Sequence, residues 1–248
     1  MKALILAAGY ATRLRPLTDS VPKQLLPVGG RPMVDWILER IEETSADEIH
    51  LVTNARFAEH FKRWAEDKHV QIHNDGTTSN EDRLGAIGDI RFVGLDDDLL
   101  VIAGDNLFDY SLAGYERYWR ERDGSSIAVL DVKDPELAKK YGVVDVDQND
   151  RVTNFVEKPE NPPTTLCATA TYLYKRDHAR LVETYLDDGN PPDQPGNFVA
   201  WLQKREPVYA YRFEGDWYDI GDAKQLLEAD NRMRRREGLP ERAEYSLS

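Results

Sequence analysis

Short apolar segments alternate with amphipathic ones over the first third of the chain, and this alternation restricts the fold more than any other feature of the sequence. Residues 2–6 are predicted to form a buried strand. In residues 34–41, apolar side chains recur every three or four positions and acidic ones take the opposite side, which is typical of a helix packed on a sheet. A strand at 48–53, a helical aromatic face at 57–64 and a strand at 70–73 follow. This β-α-β-α-β order predicts a parallel sheet with right-handed crossovers.

The second half of the chain has a different pattern. The most apolar run, residues 99–103, is predicted to be the central strand of the sheet. Beyond it, strands at 142–146, 152–157 and 168–174 follow one another with little helix between them, which favours antiparallel pairing. We therefore predict an α/β fold, in which a Rossmann-like, mostly parallel sheet is flanked by helices and joined to a partly antiparallel lobe.

The charge of the chain argues against two classes of partner. The 248 residues carry a net charge of -13, whereas residues 1–40 contain six basic and three acidic side chains and are therefore locally basic. Nucleic acids and anionic membranes bind best to an extended basic face, so neither nucleic acid nor membrane is expected as a partner. A locally basic pocket in an acidic protein suits a small anionic ligand.

Cysteine content and hydropathy indicate a cytoplasmic protein. The only cysteine, Cys167, cannot form an intramolecular disulfide, which fits a reducing compartment. No apolar run approaches the roughly 18 residues needed to span a membrane, and the run at 3–8 is too short for a signal peptide. We expect a soluble protein that is not exported.

A turn of small residues follows the first strand, at the sheet edge where open α/β sheets bind ligands. Residues 6–9 are Leu-Ala-Ala-Gly, and Arg13, Arg15 and Lys23 follow closely in the sequence. The turn has neither the spaced glycines of a dinucleotide-binding loop nor the Gly-Lys-Ser/Thr of a Walker A loop. Small residues let backbone N–H groups approach an anion, and three cations stand nearby. The segment is therefore predicted to cradle a triphosphate.

The opening segment and four later motifs together resemble the sugar-1-phosphate nucleotidyltransferases, the family of glucose-1-phosphate thymidylyltransferase. The family's opening, L-A-A-G-x-G-T-R-L-x-P-L-T and then P-K-x-L-L-P, matches residues 6–27, with Ala11 where a glycine is usual. The later motifs are Ala-Gly-Asp-Asn at 103–106, Tyr-Gly-Val-Val at 141–144, Glu-Lys-Pro at 157–159 and Trp-Tyr-Asp-Ile-Gly at 217–221. The resemblance thus covers nearly the whole chain.

The resemblance implies a role for each matching residue. Arg13, Lys23 and Lys158 would be catalytic, the first two by holding the triphosphate and the third by holding the phosphate of the sugar phosphate. Two carboxylates, Asp105 and Asp219, would bind Mg²⁺ together with phosphate oxygens. The implied nucleotide-binding residues are Leu6, Ala7, Ala8, Gly9, Asn74, Gly85 and Asp105. The implied acceptor-binding residues are Gly142, Glu157 and Lys158.

The resemblance also implies a reaction, with alternatives that the residues leave open. A nucleoside triphosphate would react with a sugar 1-phosphate to give a nucleotide sugar and pyrophosphate, and Gln24 after Lys23 favours dTTP or UTP. A cytidylyltransferase acting on a non-sugar phosphate or phosphonate is one alternative, since residues 74–77 do not match the thymidylyl pattern closely. A regulatory subunit that binds a nucleotide sugar without turnover is the other. The expected partners are a nucleoside triphosphate and a small phosphorylated acceptor, and the sequence leaves a homo-oligomer open.

The chain is divided accordingly. Residues 1–237 are predicted to form a single nucleotidyltransferase domain, with a nucleotide-binding part in 1–132 and an acceptor- and metal-binding part in 133–237. Ala170 stands in the acceptor-binding lobe where a glycine is common in the family. Residues 238–248 are predicted to be a C-terminal tail.

Overall fold

A nine-stranded mixed sheet runs through the protein, which a computed structural model describes over residues 1–247. The strands are β1 (Lys2–Leu6), β2 (Pro27–Val28), β3 (Arg31–Pro32), β4 (Glu48–Thr53), β5 (Val70–Asn74), β6 (Leu99–Ala103), β7 (Asn106–Phe108), β8 (Ser125–Asp131), β9 (Gly142–Val146), β10 (Val152–Glu157), β11 (Leu166–Tyr174), β12 (Val208–Arg212) and β13 (Trp217–Asp219). The helices are α1 (Met33–Ile41), α2 (Ala58–Trp64), α3 (Ala86–Val93), α4 (Leu112–Arg120), α5 (Pro135–Ala138), α6 (Arg176–Asp187), α7 (Pro195–Leu202) and α8 (Ala223–Arg236). Short 3₁₀ helices at Thr12–Leu14, Leu17–Asp19 and Lys23–Leu25 lie between β1 and β2.

The parallel half of the sheet is built around β1, which lies between β4 and β6, with β5 beside β4. Leu4 and Leu6 of β1 join the core under α3, α6 and α7, whereas Ala3 and Ile5 join the core under α1, α2 and α4. Because helices cover both faces, these strands are continuous apolar runs rather than alternating ones. The predicted parallel sheet with crossover helices is confirmed.

The sheet changes direction next to β6. On that side β6 pairs with β11, which is antiparallel to it and also to β8 and β9, while β10 extends from β9 and β12 lies parallel to β8. The register of β11 with β8 shifts between Ala168 and Tyr172, and Ala170 inside this interval has a left-handed φ of 51°. β6 therefore stands in the middle of the sheet, and the partly antiparallel lobe is present, as the sequence predicts.

A third, smaller core supports the loops at the ligand edge of the sheet, and it includes Leu14, Leu26 and Ile220. Above it, β7 and β13 form a separate two-stranded antiparallel sheet that pairs Asn106 with Asp219. β13 consists of only Trp217–Asp219. Its partner strand lies more than 100 positions earlier in the sequence, and a local pattern cannot reveal such a partner.

The segment predicted as a C-terminal tail folds back on α8. Asn231 exchanges two hydrogen bonds with the backbone of Arg242, at 2.8 and 2.7 Å, and the hydroxyl of Tyr245 donates to the backbone oxygen of Pro27 at 2.8 Å. Ser248 lies outside the described residues. Within residues 1–247, no helix is long and apolar enough to cross a bilayer.

Candidate active site

A cleft of about 820 Å³ opens at the carboxyl ends of β1 and β6, between the parallel half of the sheet and the antiparallel lobe. Residues that are distant in sequence meet there because the sheet brings the ends of their strands to one edge. The residues predicted from the sequence that line this cleft are Leu6, Ala8, Gly9, Arg13, Gly85, Asp105, Gly142, Glu157, Lys158 and Asp219. Of the other predicted residues, Ala7, Lys23 and Asn74 do not line it.

Buried polar contacts shape the turn of small residues after β1. The backbone N–H of Ala7 donates to the oxygen of Val52 at 2.9 Å, and Asn54 Nδ2 donates to the oxygen of Ala8 at 2.9 Å. Asn54 is fully buried, and sequence analysis did not single it out. A Cβ atom added to Gly9 would meet nothing within 4 Å, so Gly9 borders open space in the cleft. Ala7 is buried under the turn, where it supports the backbone instead of facing a ligand.

The three cations of the opening segment take different positions. Arg13 lines the cleft. Lys23 is buried, and its Nζ donates to Asp105 Oδ2 at 2.6 Å and to the backbone oxygen of Ile220. Arg15 is exposed and its ion pair with an aspartate of the same turn lies outside the cleft. Of the three cations predicted to cradle a triphosphate, Arg13 therefore lies at the cleft surface and Lys23 is held beside the cleft by a carboxylate. Arg15 lies outside the cleft.

The two carboxylates predicted to bind metal lie close together at the paired strands β7 and β13. Asp105 precedes β7, Asp219 ends β13, and the backbone N–H of Ile220 donates to the oxygen of Asp105 at 3.2 Å. Burial raises the pKa of Asp219 to about 6, and the charge of Asp105 contributes to this shift. A divalent cation would relieve that repulsion, and carboxylate oxygens are ligands that Mg²⁺ prefers. The residue pair thus fits Mg²⁺.

The remaining ligands of such an ion would come from elsewhere. Among the described residues, no group of three or more acidic, histidine or cysteine side chains is arranged to hold a metal. Mg²⁺ commonly binds one or two protein carboxylates and completes its shell with substrate phosphate oxygens and water. Two carboxylates in an open cleft therefore suit an ion that arrives with a phosphorylated ligand.

The opposite end of the cleft is formed by β9, β10 and the start of α7. Glu157 is mostly buried there, and burial raises its pKa. A Cβ atom at Gly142 or Gly196 would clash with the ring of Phe155 and the carboxylate of Glu157, so both glycines leave room for that carboxylate. Lys158 Nζ lies 3.9 Å from Glu157 Oε1. A carboxylate beside an ammonium group can bind the hydroxyl and phosphate groups of a small acceptor.

The end of the cleft at Gly85 contains residues that the sequence did not predict. Tyr10 and Asp89 line it beside Gly85. Arg83 and Asp193 form a bidentate ion pair with two hydrogen bonds of 3.0 Å, which ties the loop before α3 to the segment before α7. Arg83 could have been noticed as a cation in the polar loop, but its partner is 110 positions away. Asp89 gave no local signal at all.

The predicted nucleotide-binding residue Asn74 lies outside the cleft. It is exposed at the end of β5, and its Oδ1 accepts a hydrogen bond from the backbone of Gly76 at 3.0 Å. This side chain stabilises the turn that follows the strand, which is a common use of asparagine. Residues further along the same loop, Asn80, Arg83 and Gly85, line the cleft instead.

Two alanines occupy positions where glycine is usual in the family. Ala11 and Ala170 have φ values of 45° and 51°, both in the left-handed region. Residues with a Cβ atom adopt this region only with strain, so the backbone itself accounts for the usual glycine. Ala11 precedes the 3₁₀ helix that carries Arg13, and Ala170 lines the cleft.

The chain matches a known family over almost its whole length. A model of the nucleotidyl transferase family matches residues 2–236. The bifunctional protein GlmU of Methanocaldococcus jannaschii is 31% identical over 234 residues, which are 93% of this chain and 53% of that protein. A UTP-glucose-1-phosphate uridylyltransferase of Synechocystis sp. is 30% identical over 246 residues, 92% of this chain and 62% of that protein. The chain thus spans between half and two thirds of the length of these relatives.

A solved structure has the same fold. The structure of UDP-glucose pyrophosphorylase complexed with UDP-glucose aligns with a TM-score of 0.80 at 22% identity, over 95% of this chain and 98% of that chain. The α/β fold predicted from the sequence, with its mostly parallel sheet and partly antiparallel lobe, is confirmed.

Proposed function

The chain belongs to the nucleotidyl transferase family, as its motifs predict, and from that premise we propose that it is an enzyme that joins a nucleoside triphosphate to a sugar 1-phosphate. The products are a nucleotide sugar and pyrophosphate. One observation carries the proposal: a single cleft has an anion-binding turn with Arg13 at one end, Glu157 and Lys158 at the other, and the carboxylates Asp105 and Asp219 in the same lining. This arrangement suits two phosphorylated substrates that meet at a metal ion.

The proposed reaction depends on placement and charge compensation rather than on a proton-transfer group. The acceptor phosphate is already an anion at neutral pH, so its oxygen attacks the α-phosphorus without a general base. The new P–O bond forms as the bond to pyrophosphate breaks. The barrier is the repulsion between two anions together with the charge that develops on pyrophosphate. Arg13 would offset charge on the triphosphate, and Lys158 would hold the attacking phosphate.

Asp105 and Asp219 are proposed to bind Mg²⁺. When bound, such an ion neutralises phosphate charge and makes the α-phosphorus more electrophilic. Lys23 is proposed to act through Asp105 as a positioning residue, because its Nζ is hydrogen-bonded to that carboxylate at 2.6 Å.

The nucleotide is proposed to be dTTP or UTP. Gln24 supports this choice through the resemblance, because a glutamine directly after the lysine of the motif favours dTTP or UTP, and the structure places this side chain in the lining of the cleft. The Synechocystis relative, named as a UTP-glucose-1-phosphate uridylyltransferase, is consistent with a pyrimidine nucleotide and a hexose 1-phosphate.

Pyrophosphate release from a panel of substrates tests the proposal. The purified protein is assayed with Mg²⁺, five triphosphates (dTTP, UTP, CTP, GTP and ATP) and several acceptors, including glucose 1-phosphate, mannose 1-phosphate, N-acetylglucosamine 1-phosphate and phosphocholine. We expect release only when a triphosphate and a sugar 1-phosphate are both present, and none after Mg²⁺ is chelated. Release with CTP and a non-sugar phosphate alone would indicate a cytidylyltransferase. Nucleotide-sugar binding without release from any pair would indicate a regulatory subunit.

A further inference from the structure

A second pair of carboxyl groups, which the proposed chemistry does not use, lies at the end of the cleft formed by Tyr10 and Gly85. Asp89, in the first turn of α3, lines the cleft although only 5% of it is exposed. Asp75 lies next to it, in the loop after β5. Within residues 1–247 neither carboxyl forms an ion pair with a basic side chain, so the burial of Asp89 and of one oxygen of Asp75 needs another explanation.

Asp75 is surrounded by donors on one side only. Its Oδ1 accepts hydrogen bonds from the backbone N–H and the hydroxyl of Thr77, at 2.7 and 2.8 Å. The hydroxyl of Tyr10, which also lines the cleft, lies 3.2 Å from that of Thr77. The other oxygen of Asp75, Oδ2, is buried and has no hydrogen-bond partner in the described residues.

Asp89 supplies the missing donor. Burial raises the pKa of Asp89 to about 8, and both the charge of Asp75 and a hydrogen bond between the two carboxyls contribute. Asp89 Oδ1 is the second buried oxygen without another partner. A proton held by Asp89 Oδ1 and donated to Asp75 Oδ2 satisfies both oxygens, because two adjacent carboxyl groups do not readily ionise together.

The second oxygen of Asp89 is then left for the cleft. Because the proton is used inside the protein, this oxygen can accept a hydrogen bond but cannot donate one. Uracil, thymine and guanine carry an N–H on the ring nitrogen of their pairing edge, whereas cytosine and adenine carry a bare nitrogen there. An N–H would complete the hydrogen bonding of Asp89, but a bare nitrogen would leave two acceptors facing each other without water.

The first two backbone N–H groups of α3 are paired within the protein. The N–H groups of Ala86 and Ile87 donate to the oxygens of Asp193 and Pro192, at 3.2 and 2.8 Å. These two groups would otherwise be free donors at a helix start. They are therefore not free to bind a ligand at this wall.

We propose that Asp89 is a specificity-determining residue that accepts a hydrogen bond from the ring N–H of a keto base and selects uracil, thymine or guanine over cytosine and adenine. This inference rests on the proposed function, because it assigns the nucleoside of the triphosphate to this wall. The phosphates are assigned to the turn after β1 and the acceptor to Glu157 and Lys158. The wall formed by Tyr10, Gly85 and Asp89 lies in the same cleft and is used by neither of these assignments.

Binding of triphosphates to the full chain in the presence of Mg²⁺ tests this inference by isothermal titration calorimetry. We expect UTP, dTTP or GTP to bind at least about 10-fold more tightly than CTP and ATP, the size expected for one hydrogen bond and one avoided clash. Methylation of the ring nitrogen, in N3-methyl-UTP or N1-methyl-GTP, should weaken binding by at least about 10-fold. The methyl group removes the N–H and leaves the rest of the base in place.

Two substitutions link these effects to Asp89. Asp89→Leu removes the acceptor, so both the preference for keto bases and the effect of methylation should disappear. Asp89→Asn should keep both, because its amide N–H can donate to Asp75 while its oxygen faces the cleft. The same change at an exposed carboxyl, Asp188→Leu at the end of α6, serves as the matched control and should leave all affinities unchanged.

The outcomes separate this inference from the proposed function. Tightest binding of CTP or ATP, or an unchanged preference in Asp89→Leu, would overturn the role of Asp89 and leave the proposed function intact. If no triphosphate binds the wild-type chain, the proposed function fails, and the role of Asp89 fails with it. If Asp89→Leu does not fold, the methylated nucleotides test the inference on the wild-type chain alone. Equal affinity for UTP and N3-methyl-UTP, and for GTP and N1-methyl-GTP, would then overturn it.

Discussion

Two pairs of carboxyl groups lie at the same cleft, but their surroundings differ. Asp105 and Asp219 lie beside Lys23, and burial raises the pKa of Asp219 only to about 6. Asp75 and Asp89 form no ion pair with a basic side chain in the described residues, and burial raises the pKa of Asp89 to about 8. The first pair is suited to a metal ion and the second holds a proton. Neighbouring charge, more than burial, thus decides what a carboxyl pair binds.

Removal of Lys23, the cation beside the first pair, should have the largest effect on turnover. In Lys23→Ala the buried ammonium beside Asp105 is lost, so we expect kcat to fall about 100-fold to 1000-fold, the usual loss for one electrostatic contact of an active site. Pyrophosphate release measures the effect. Arg15→Ala is the matched control from the same segment, because Arg15 is exposed outside the cleft and its removal should leave turnover nearly unchanged. Near-normal turnover of Lys23→Ala would remove this residue from the mechanism.

The second-largest effect should be on the Mg²⁺ requirement, which distinguishes the two carboxyl pairs. Asp219→Asn replaces a proposed metal ligand, so the Mg²⁺ concentration for half-maximal turnover should rise at least about 10-fold. Asp89→Asn changes a carboxyl of the same cleft that is proposed to hold a proton instead, so the midpoint of its Mg²⁺ titration should not move. Equal shifts in the two variants would contradict the difference between the pairs.

The stability of Asp89→Asn should depend on pH in a defined direction. The pKa of Asp89 is raised from 3.8 to about 8 in the folded protein, so its contribution to stability is fully present below pH 3.8 and is lost as pH rises towards 8. Asparagine does not titrate, so the free energy of unfolding of the variant should rise relative to that of the wild type, by up to about 1.4 kcal/mol for each pH unit in this window. Thermal melts at several pH values measure this difference as a shift in Tm of about 2–4 °C per kcal/mol. A difference in Tm that does not change with pH would show that Asp89 is ionised in the fold.

The smallest effect concerns two loops that border the cleft. The loop near Asp75 and Asp89 has glycines at left-handed positions, Gly76 and Gly85, whereas the loop that carries Arg13 has Ala11 there. Ala11→Gly should therefore stabilise the fold slightly, by about 0.5 kcal/mol, after the greater flexibility of glycine in the unfolded chain is subtracted. Gly85→Ala should destabilise it, because its Cβ would lie 2.7 Å from backbone atoms of the segment before α7. Thermal melts check both signs, and destabilisation by Ala11→Gly would contradict this explanation.

Features that depend on neighbouring residues were predictable from the sequence. The apolar runs identified the strands of the parallel half, because strands buried on both faces have no other pattern. The turn after β1 and its Arg13 were predicted at the carboxyl edge of the sheet, and the structure places both in the lining of the cleft there. Asp105 and Asp219 were paired through the family resemblance, and the structure brings them together on β7 and β13.

Features that depend on distant residues were not predictable. Lys23 was expected to face phosphate directly, but its partners are 82 and 197 positions away, so its burial could not be read from the segment itself. Asp89 looks like a polar residue on the outer face of a helix until the loop after β5 folds over it. The left-handed backbone of Ala170 arises from a register shift between β8 and β11, which no local pattern encodes.

The reverse reaction tests the central claim most directly. The protein is incubated with Mg²⁺, ³²P-labelled pyrophosphate and a nucleotide sugar such as UDP-glucose or dTDP-glucose, and the label is followed into nucleoside triphosphate. Because the same transition state serves both directions, label should appear in UTP or dTTP together with an equal amount of glucose 1-phosphate, and Lys23→Ala should abolish both. The absence of labelled triphosphate with every nucleotide sugar tested, from a folded protein that binds UTP, would contradict the account.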